Sequence, residues 1–288
     1  MKINFISDTH GILENYRGRL IKALTEKDYY IQRFSLNEAK IIRLILTDVT
    51  IVSSNLRSNL FALFFCRGMN VVIFNGLGRW RTSKIFRYFL LNLIIFKNKN
   101  AYVFQNYADF RYFMRFAHSI KAFWICGSGG TQKVHSSERD IRVGVVTRSN
   151  KLELQTASIL AYEKAVERDV SLIGVDDAGI LGFRNCDGHV DPGDIFLNIN
   201  ELFLPDGYGE GFPHVACDAL TSGMPCWMSN VSYIRYGLAK MDVAVVARRG
   251  NFICVRSKAR GPKSKFSNEQ ILDAYLRVVV GIKKNKCV

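Results

Sequence analysis

The sequence predicts an α/β protein of two domains, each built around a parallel sheet covered by helices. Short apolar segments that suit buried strands alternate along the chain with longer segments of helical periodicity. The 288 residues suffice for two domains of about 100 to 150 residues each. Hydrophobic residues make up 48% and charged residues 23%, which fits a globular chain and excludes a disordered one.

The first half of the chain carries four strand candidates separated by helical or turn segments. The first, residues 2–7, is followed by a turn at 8–11 and by an amphipathic helix over 13–24. The other three candidates are residues 49–53, 71–74 and 101–104. Such alternation is typical of a parallel sheet with helices on both of its faces.

Residues 124–142 are rich in glycine, serine and charge, and they interrupt the regular pattern. We therefore expect one domain over residues 1–135 and a second over residues 136–288. The second domain continues the alternation of strands and helices. Its predicted elements are strands at 143–146 and 170–173, a helix at 151–168, a mixed segment at 195–204, a helix at 212–221 between Gly211 and Gly223, and a closing helix at 267–282.

The net charge of +15 predicts an anionic partner, because 40 lysines and arginines outnumber 25 aspartates and glutamates. Nucleic acid, phospholipid head groups and phosphorylated small molecules all fit that charge. The sequence has no zinc-finger spacing, no RNP-type aromatic motif and no long basic tail. We therefore expect no nucleic-acid partner.

The cysteines and the apolar segments bear on the compartment of the protein. The seven cysteines are widely spaced without a CxxC pair, which predicts reduced, mostly buried thiols. The amino terminus lacks the basic region and apolar run of a signal peptide. The apolar windows at 60–66 and 89–96 are far shorter than the roughly 20 residues that span a bilayer. We therefore expect a cytoplasmic chain without a transmembrane helix.

A glycine-rich segment in the second half carries the residue types that a nucleotide sugar requires. Such a ligand is a diphosphate between a ribose and a sugar, so its site needs backbone amides, cations and carboxylates. Gly207, Gly209 and Gly211 let the backbone approach a ligand at the start of a predicted helix, whose positive end attracts phosphate. Glu210 lies in this loop. Asp218 follows about two helical turns, roughly 10.8 Å, further on, so the two carboxylates suit opposite ends of one donor.

This segment resembles the donor site of the GT-B glycosyltransferases, specifically the retaining family 4 of bacterial polysaccharide and lipid glycosyltransferases. That family carries a Pro-Ser-x-x-Glu-Gly-Phe loop, a helix ending in Glu-Ala-Met-Ala, and a Gly-x-Pro-Val turn. The corresponding residues here are PDGYGEGFP at 205–213, DALT at 218–221 and GMP at 223–225. The resemblance implies two Rossmann-like domains that face each other across a cleft.

The resemblance also implies roles for individual donor-site residues. Glu210 would contact the donor sugar, and the backbone amides of Gly211 and Phe212 would bind the donor. Asp218 would hold the ribose, although the family usually has glutamate at that place. The other donor-binding positions are Gly209 and Pro213.

A basic pair follows the first strand of the second domain in that family, where it neutralises the diphosphate leaving group. Arg148 and Lys151 occupy this place, with a shorter spacing than usual. In the first domain, the Asn-Gly-Leu-Gly segment at 75–78 resembles the family's glycine loop that faces the cleft. The glycines of the predicted cleft loops are Gly11, Gly76 and Gly78.

The activity implied by the resemblance is transfer of a hexose with retention at the anomeric carbon. The transfer would need no metal and no cofactor besides the nucleotide-sugar substrate, because fixed cations and helix-start amides stabilise the leaving group. The donor would bind the second domain, and a glycan or polyprenyl-linked acceptor would bind the first. We expect a role in bacterial surface polysaccharide synthesis, such as capsule or lipopolysaccharide, at the inner face of the cell membrane.

A different class of enzyme is indicated by the end of the first predicted strand. The segment SDTHG at 7–11 resembles the opening motif of calcineurin-like metallophosphoesterases, in which Asp8 and His10 would ligate one ion of a metal pair. That family also needs an Asn-His pair, which the sequence lacks, and further Gly-Asp and Gly-His motifs that occur here late and in the wrong order.

A third interpretation is a non-catalytic α/β protein associated with a membrane. The segment KIFRYFLLNLIIFKNK at 84–99 combines aromatic and aliphatic residues with flanking cations, as an interfacial helix does. A core helix of the first domain is the alternative. Contact with an anionic membrane surface also suits a glycosyltransferase that elongates a lipid-linked acceptor.

Overall fold

The computed structural model describes most of the chain. The described residues are 2–38, 44, 49–129, 142–176, 183, 185–188, 190–191, 194–197, 199–206 and 211–284. The chain divides into two compact units. Unit 1 comprises Met1–Gly130, Tyr208–Phe212 and Asn268–Val288, and unit 2 comprises Thr131–Gly207 and Pro213–Ser267. The predicted domain boundary between residues 135 and 136 lies outside the described residues.

Unit 1 is built on a parallel sheet of six strands in the order β2-β1-β3-β4-β5-β6. The strands are β1 (Lys2–Ser7), β2 (Tyr30–Ser35), β3 (Thr50–Ser54), β4 (Asn70–Phe74), β5 (Ala101–Phe104) and β6 (Lys121–Trp124). The intervening helices are α1 (His10–Thr25), α2 (Leu56–Phe65), α3 (Lys84–Phe96) and α4 (Tyr107–Phe116). Because all six strands are parallel, their carboxyl ends lie at one edge of the sheet.

Apolar runs and polar caps explain why these elements form. Every residue of β4 is buried, as expected for a central strand of a parallel sheet. Helix α1 begins earlier than predicted, because the hydroxyl of Thr9 accepts a hydrogen bond from the amide of Ile12 and caps the helix. The rings of Phe74, Phe104 and Phe113 stack at centroid distances of 5.1 and 5.2 Å and join the sheet to α4.

Unit 2 is built on a mixed sheet of seven strands in the order β12-β13-β11-β10-β7-β8-β9. The strands are β7 (Val143–Val146), β8 (Val170–Ile173), β9 (Cys186–Asp187), β10 (Glu201–Leu204), β11 (Cys226–Ser229), β12 (Val243–Arg249) and β13 (Phe252–Ser257). Its helices are α5 (Ser149–Val166), α6 (His214–Ser222) and α7 (Asn230–Arg235). Tyr162 of α5 stacks on Phe203 of β10 at 4.1 Å and forms the centre of the core.

The last helix of the sequence, α8 (Asn268–Lys284), belongs to unit 1. The sequence pattern places this helix at the end of the second domain, but its contacts are with the first unit. A Cβ on Gly129 would stand 3.3 Å from Ile271, and the hydroxyl of Tyr275 donates a hydrogen bond to the carbonyl of Gly127 at 2.9 Å. These contacts form between residues far apart in sequence, so periodicity alone does not reveal them.

The predicted strands are confirmed, but the sheet of unit 2 is only partly parallel. Six strands are not among the predicted elements: β2, β6, β9, β11, β12 and β13. Strand β13 pairs antiparallel with both β11 and β12, so a purely parallel second sheet is wrong. The pairing of β13 with β12 is a hairpin whose tight turn contains Gly250, with a φ of +52° that favours glycine.

The expectation of reduced thiols is confirmed for the six cysteines in the described part of the chain. Five of them are buried, and Cys186 is half-buried. Burial raises the pKa of the Cys66 thiol to about 11 and that of the Cys254 thiol to about 12. Burial also raises the pKa of Cys226. These thiols therefore remain protonated and unreactive in the folded protein near neutral pH.

We predict that the buried thiols make the folded protein sensitive to alkali. Their folded pKa values lie above the value of about 8.5 expected in the unfolded chain. Their contribution to stability is therefore complete below that pH and is lost as the pH rises toward 11 and 12. Urea unfolding at pH 8 and pH 10.5 should show that the stability advantage of the wild type over Cys254→Val shrinks at the higher pH. An advantage that is the same at both pH values would contradict this account.

Candidate functional site

The sheet of unit 2 has a topological switch point at the strands β7 and β10. Strand β7 lies between β10 and β8, so the chain builds outward on one side through β8 and β9, then returns to the other side as β10 and β11. In open α/β sheets, ligands bind outside the carboxyl ends of the strands at such a point. The segments that follow β7 and β10 are the predicted basic pair and the predicted donor loop. The topology therefore brings the start of α5 and the start of the donor loop, residues 205–206, to one edge of the sheet.

The basic pair lies at the amino-terminal end of α5. Arg148 is the N-cap residue, is exposed, and has no carboxylate within 4 Å among the described residues. The amide of Lys151 donates to the carbonyl of Arg148 at 2.8 Å, which places Lys151 in the first turn. This first turn contains no acidic residue. The positive end of a helix dipole and basic side chains beside it both attract an anion.

The start of the donor loop is anchored by Asp206, directly after β10. One carboxylate oxygen of Asp206 accepts hydrogen bonds from the hydroxyls of Ser229 at 2.7 Å and Ser232 at 2.5 Å. The amide of Asp206 donates to the hydroxyl of Ser158 at 3.1 Å. Asp206 belongs to the donor motif, but the motif alone does not indicate its role. Ser229 and Ser232 lie in the turn from β11 to α7. Serines in such a turn are only a weak sequence indication of a partner for Asp206, and they can be recognised as one only when the positions of β11 and α7 are known.

The middle of the donor loop, residues 207–210, lies outside the described residues. The roles of Gly209 and Glu210 therefore stay predictions. The loop ends at Gly211 and Phe212, which group with unit 1. Both are buried, and Phe212 is among the fully buried aromatic side chains.

Helix α6 follows the loop and carries Asp218, the residue predicted to bind the ribose of the donor. Pro213 is its N-cap residue in extended conformation, and the helix ends at Gly223, whose φ of +82° suits the left-handed cap. A Cβ at Gly223 would also meet the side chain of Arg260 at 2.5 Å. Asp218 lies midway along α6 and is half-buried. The helix therefore starts and stops where the sequence predicts, within two residues.

The predicted cleft-loop glycines of unit 1 differ in what they do. Gly76 and Gly78 follow β4 with φ values of +130° and +55°, conformations that favour glycine. Gly11 lies instead in the first turn of α1, and a Cβ there would meet nothing within 4 Å. The loop at 75–78 therefore depends on its glycines, whereas the conformation at Gly11 does not require one.

The Asp and His of the segment at 7–11 have structural contacts. A carboxylate oxygen of Asp8 accepts a hydrogen bond from the amide of Ser58 at 3.2 Å, which caps the start of α2. The Nε2 atom of the His10 imidazole is in hydrogen-bond contact with a carboxylate oxygen of Glu38. Within the ranges that the structure describes, no group of three or more His, Cys, Asp or Glu side chains is arranged to hold a metal ion. Nothing in these contacts favours the phosphoesterase interpretation.

An exposed aromatic surface lies on α2 and α3 of unit 1. One side of α3 packs on the core through Leu90, Leu91 and Ile94, and the other side is exposed. We define the aromatic surface by its large exposed side chains: Phe64, Phe65, Ile85, Tyr88, Phe89 and Phe96. Tyr88 is 67% and Phe96 80% exposed, and the rings of Phe64 and Phe89 stack at 6.0 Å. Among the described residues, no helix is long and apolar enough to cross a bilayer.

Neither a protein-family model nor a curated protein matches the sequence, but solved structures share its fold. HepE from Anabaena in complex with UDP aligns with a TM-score of 0.56 at 15% identity, over 100% of this chain and 98% of that chain. Its complex with UDP and glucose gives the same TM-score at 14% identity and the same coverage. Its complex with UDP-glucose gives 0.55 at 14% identity, over 99% of this chain and 98% of that one. This likeness confirms the predicted fold class.

We predict that Arg148 contributes to binding of a diphosphate more than of a nucleoside. Loss of one charge-assisted contact in Arg148→Ala should weaken UDP binding about 10-fold. Binding of uridine should change much less, because it carries no phosphate. Calorimetric titration with both ligands measures the difference, and Arg248→Ala, which removes an exposed cation of strand β12, is the matched control. Equal losses for UDP and uridine would indicate misfolding and contradict the assigned role.

Proposed function

We propose that this protein transfers a sugar from a nucleotide-sugar donor to a hydroxyl group of an acceptor. The observation that carries the proposal is the switch point of unit 2, where the cations of α5 and the donor loop follow neighbouring strands. HepE, which shares the fold, has been crystallised with UDP and with UDP-glucose. A uridine diphosphate sugar is therefore the donor to test first.

The proposed roles of the residues follow from the chemistry of the transfer. The bond between the anomeric carbon and the diphosphate breaks, the anomeric carbon bonds to the acceptor oxygen, and the proton of the acceptor hydroxyl passes to an oxygen of the departing diphosphate. Arg148 and Lys151 stabilise the negative charge of the departing diphosphate. Glu210 contacts the donor sugar, and Asp218 holds the ribose. We propose that transfer retains the anomeric configuration and needs no metal or cofactor.

The remaining donor-binding positions act through their backbone. We propose that Gly209, Gly211 and Phe212 direct amide groups at the donor and that Pro213 fixes the entry into α6. Pro213 suits this place because its extended conformation and its missing amide hydrogen are both compatible with a helix start. The glycines suit it because a side chain would keep the ligand from the backbone.

We further propose that the acceptor is a glycan or polyprenyl-linked sugar of bacterial surface polysaccharide synthesis. The aromatic surface supports a lipid-linked acceptor, because contiguous exposed aromatic residues are typical of interaction surfaces. The exposed cations Arg67, Lys84 and Lys99 flank it in the sequence. Aromatic residues bordered by cations suit the head-group region of an anionic membrane. The protein would then meet its acceptor at the membrane surface.

We predict that Glu210→Gln lowers sugar transfer at least about 100-fold, because the loss of a preorganised polar group at a reacting centre has that magnitude. The melting temperature should remain nearly unchanged, since the substitution is isosteric. Release of UDP from UDP-glucose, with simple glycosides as acceptors, measures the activity.

The matched control for Glu210→Gln is Glu153→Gln, an exposed carboxylate on α5. We expect full activity in the control and in wild-type protein treated with EDTA, since fixed cations take the place of a metal. Full activity of Glu210→Gln would remove Glu210 from the site. Loss of wild-type activity in EDTA would disprove metal independence.

We predict that the protein sediments with vesicles of phosphatidylglycerol at low salt and is released as the salt concentration rises. The electrostatic attraction is screened over about 3 Å at 1 M salt, against about 30 Å at 0.01 M. The double substitution Tyr88→Ser and Phe96→Ser should weaken binding, whereas Ile234→Ser, which alters a side chain of unit 2 that is 63% exposed, should not. Equal binding to neutral phosphatidylcholine vesicles would contradict the proposal.

A further inference from the structure

The guanidinium of Arg17 on α1 is buried in unit 1 without a carboxylate partner among the described residues. The residue is 1% exposed. Its Nε donates to the hydroxyl of Ser54 at 3.2 Å, its Nη1 donates to the carbonyls of Tyr16 and Ser128 at 3.0 and 3.4 Å, and its Nη2 donates to Oδ1 of Asn75 at 2.7 Å. Burying a charge among neutral partners costs free energy. Stability alone therefore does not account for an arginine at this place.

Asn75 is held from both sides of its amide group. Its Oδ1 accepts from Arg17, and its Nδ2 donates to Oδ1 of Asn55 at 2.7 Å. Asn55 has a φ of +85°, which is strained for a residue other than glycine. The orientation of Asn75 at the carboxyl end of β4 is therefore fixed by Arg17 together with the backbone after β3.

Tyr275 of α8 holds a second residue at the same edge of the sheet. Gln105 follows β5, and its Nε2 donates to the hydroxyl of Tyr275 and to the carbonyl of Gly127, both at 3.0 Å. The hydroxyl of Tyr275 donates to the same carbonyl. The ring of Tyr275 lies 5.1 Å from the guanidinium of Arg17. This cation–π contact links the hydrogen bonds that hold Asn75 to those that hold Gln105.

Both held residues contact Gly211, the end of the predicted donor loop. A Cβ at Gly211 would overlap the carbonyl oxygen of Asn75 and would stand 2.8 Å from Oε1 of Gln105. The backbone of Gly211 therefore packs directly on the two residues whose orientation Arg17 and Tyr275 fix. Only glycine fits this contact without displacing Asn75.

We propose that Arg17 and Tyr275 are positioning residues for sugar transfer. They hold Asn75 and Gln105 against Gly211 and thereby fix the end of the donor loop. This inference rests on the proposed function, because Gly211 belongs to the donor motif. A displacement of about 1 Å at a reacting centre costs about 100-fold in rate, so two residues that never touch the donor control turnover through one glycine.

The test compares Arg17→Lys and Tyr275→Phe with a matched control, Tyr102→Phe. Tyr102 is buried like Tyr275, and its hydroxyl likewise donates to a backbone carbonyl, that of Lys97 at 2.9 Å. It lies within β5, and its hydroxyl contacts the end of α3 and the residue after it, and not Gln105 or Gly127. Hydrogen–deuterium exchange of the peptide at 205–217 reports how firmly the loop end is held. Turnover of UDP-glucose per folded molecule reports the consequence for transfer.

We expect faster exchange in that peptide, and a kcat at least about 10-fold lower, in Arg17→Lys and Tyr275→Phe but not in Tyr102→Phe. The KM for UDP-glucose should change less than about 2-fold, because the cations of α5 still bind the diphosphate. A merely structural role would lower the unfolding temperature of all three variants and leave kcat per folded molecule unchanged. That result, or unchanged exchange in the peptide, overturns the proposal.

The two proposals fail in different ways. If wild-type protein neither binds UDP nor turns over UDP-glucose, the proposed function is wrong, and exchange alone then decides whether Arg17 and Tyr275 hold the loop end. If wild-type protein is active and the variants match the control in kcat, the positioning role is wrong while the proposed function stands. Gly211→Ala, which displaces Asn75 directly, should reproduce the kinetics of Arg17→Lys if the contact is the cause.

Discussion

Parallel strands impose the constraint on which this molecule depends: their carboxyl ends, and the loops that leave them, all lie at one edge of a sheet. In unit 1 this edge gathers Ser54, Asn75, Gln105 and Gly127 from four strands into one hydrogen-bonded group with Arg17 and Tyr275. In unit 2 it gathers the start of α5 and the start of the donor loop. Pairing of the parallel strands thus places residues that are distant in sequence next to each other. No specific contact between the loops is needed to bring them together.

The buried polar groups at these two sheet edges differ in what offsets the free-energy cost of their burial. Asp206 is buried in part, and hydroxyl and amide donors satisfy it. Arg17 is also satisfied by hydrogen bonds, but the described residues around its charge provide an aromatic ring and neutral oxygens and no carboxylate. Burial lowers the pKa of Arg17 and raises the pKa of Tyr275, yet an arginine starts from so high a value that it remains charged. An uncompensated charge is tolerable only where the surrounding donors and acceptors are rigid, and the strand ends of a central sheet provide that rigidity.

Much of the fold could be predicted from short sequence patterns, because buried strands and helix caps are encoded by residues that are close together in the sequence. The run at β4 and the glycine at the end of α6 each identify an element without reference to the rest of the chain. The donor motif was visible for the same reason, since its glycines and carboxylates follow one another along the sequence. The role of Arg17 was not visible, because on α1 it reads as one polar residue of an amphipathic helix. The role of Arg17 depends on its contacts with Asn75 and Tyr275. No short sequence window contains all three residues.

The allocation of α8 to unit 1 has a consequence for how the protein is made. The sheet of unit 1 is encoded before all of unit 2, whereas the helix that supplies Tyr275 is encoded after it. On the ribosome, Arg17 therefore has to wait for its aromatic neighbour until the whole of the second unit has been synthesised. The edge of the unit 1 sheet that Tyr275 completes therefore stays incomplete while unit 2 is being synthesised.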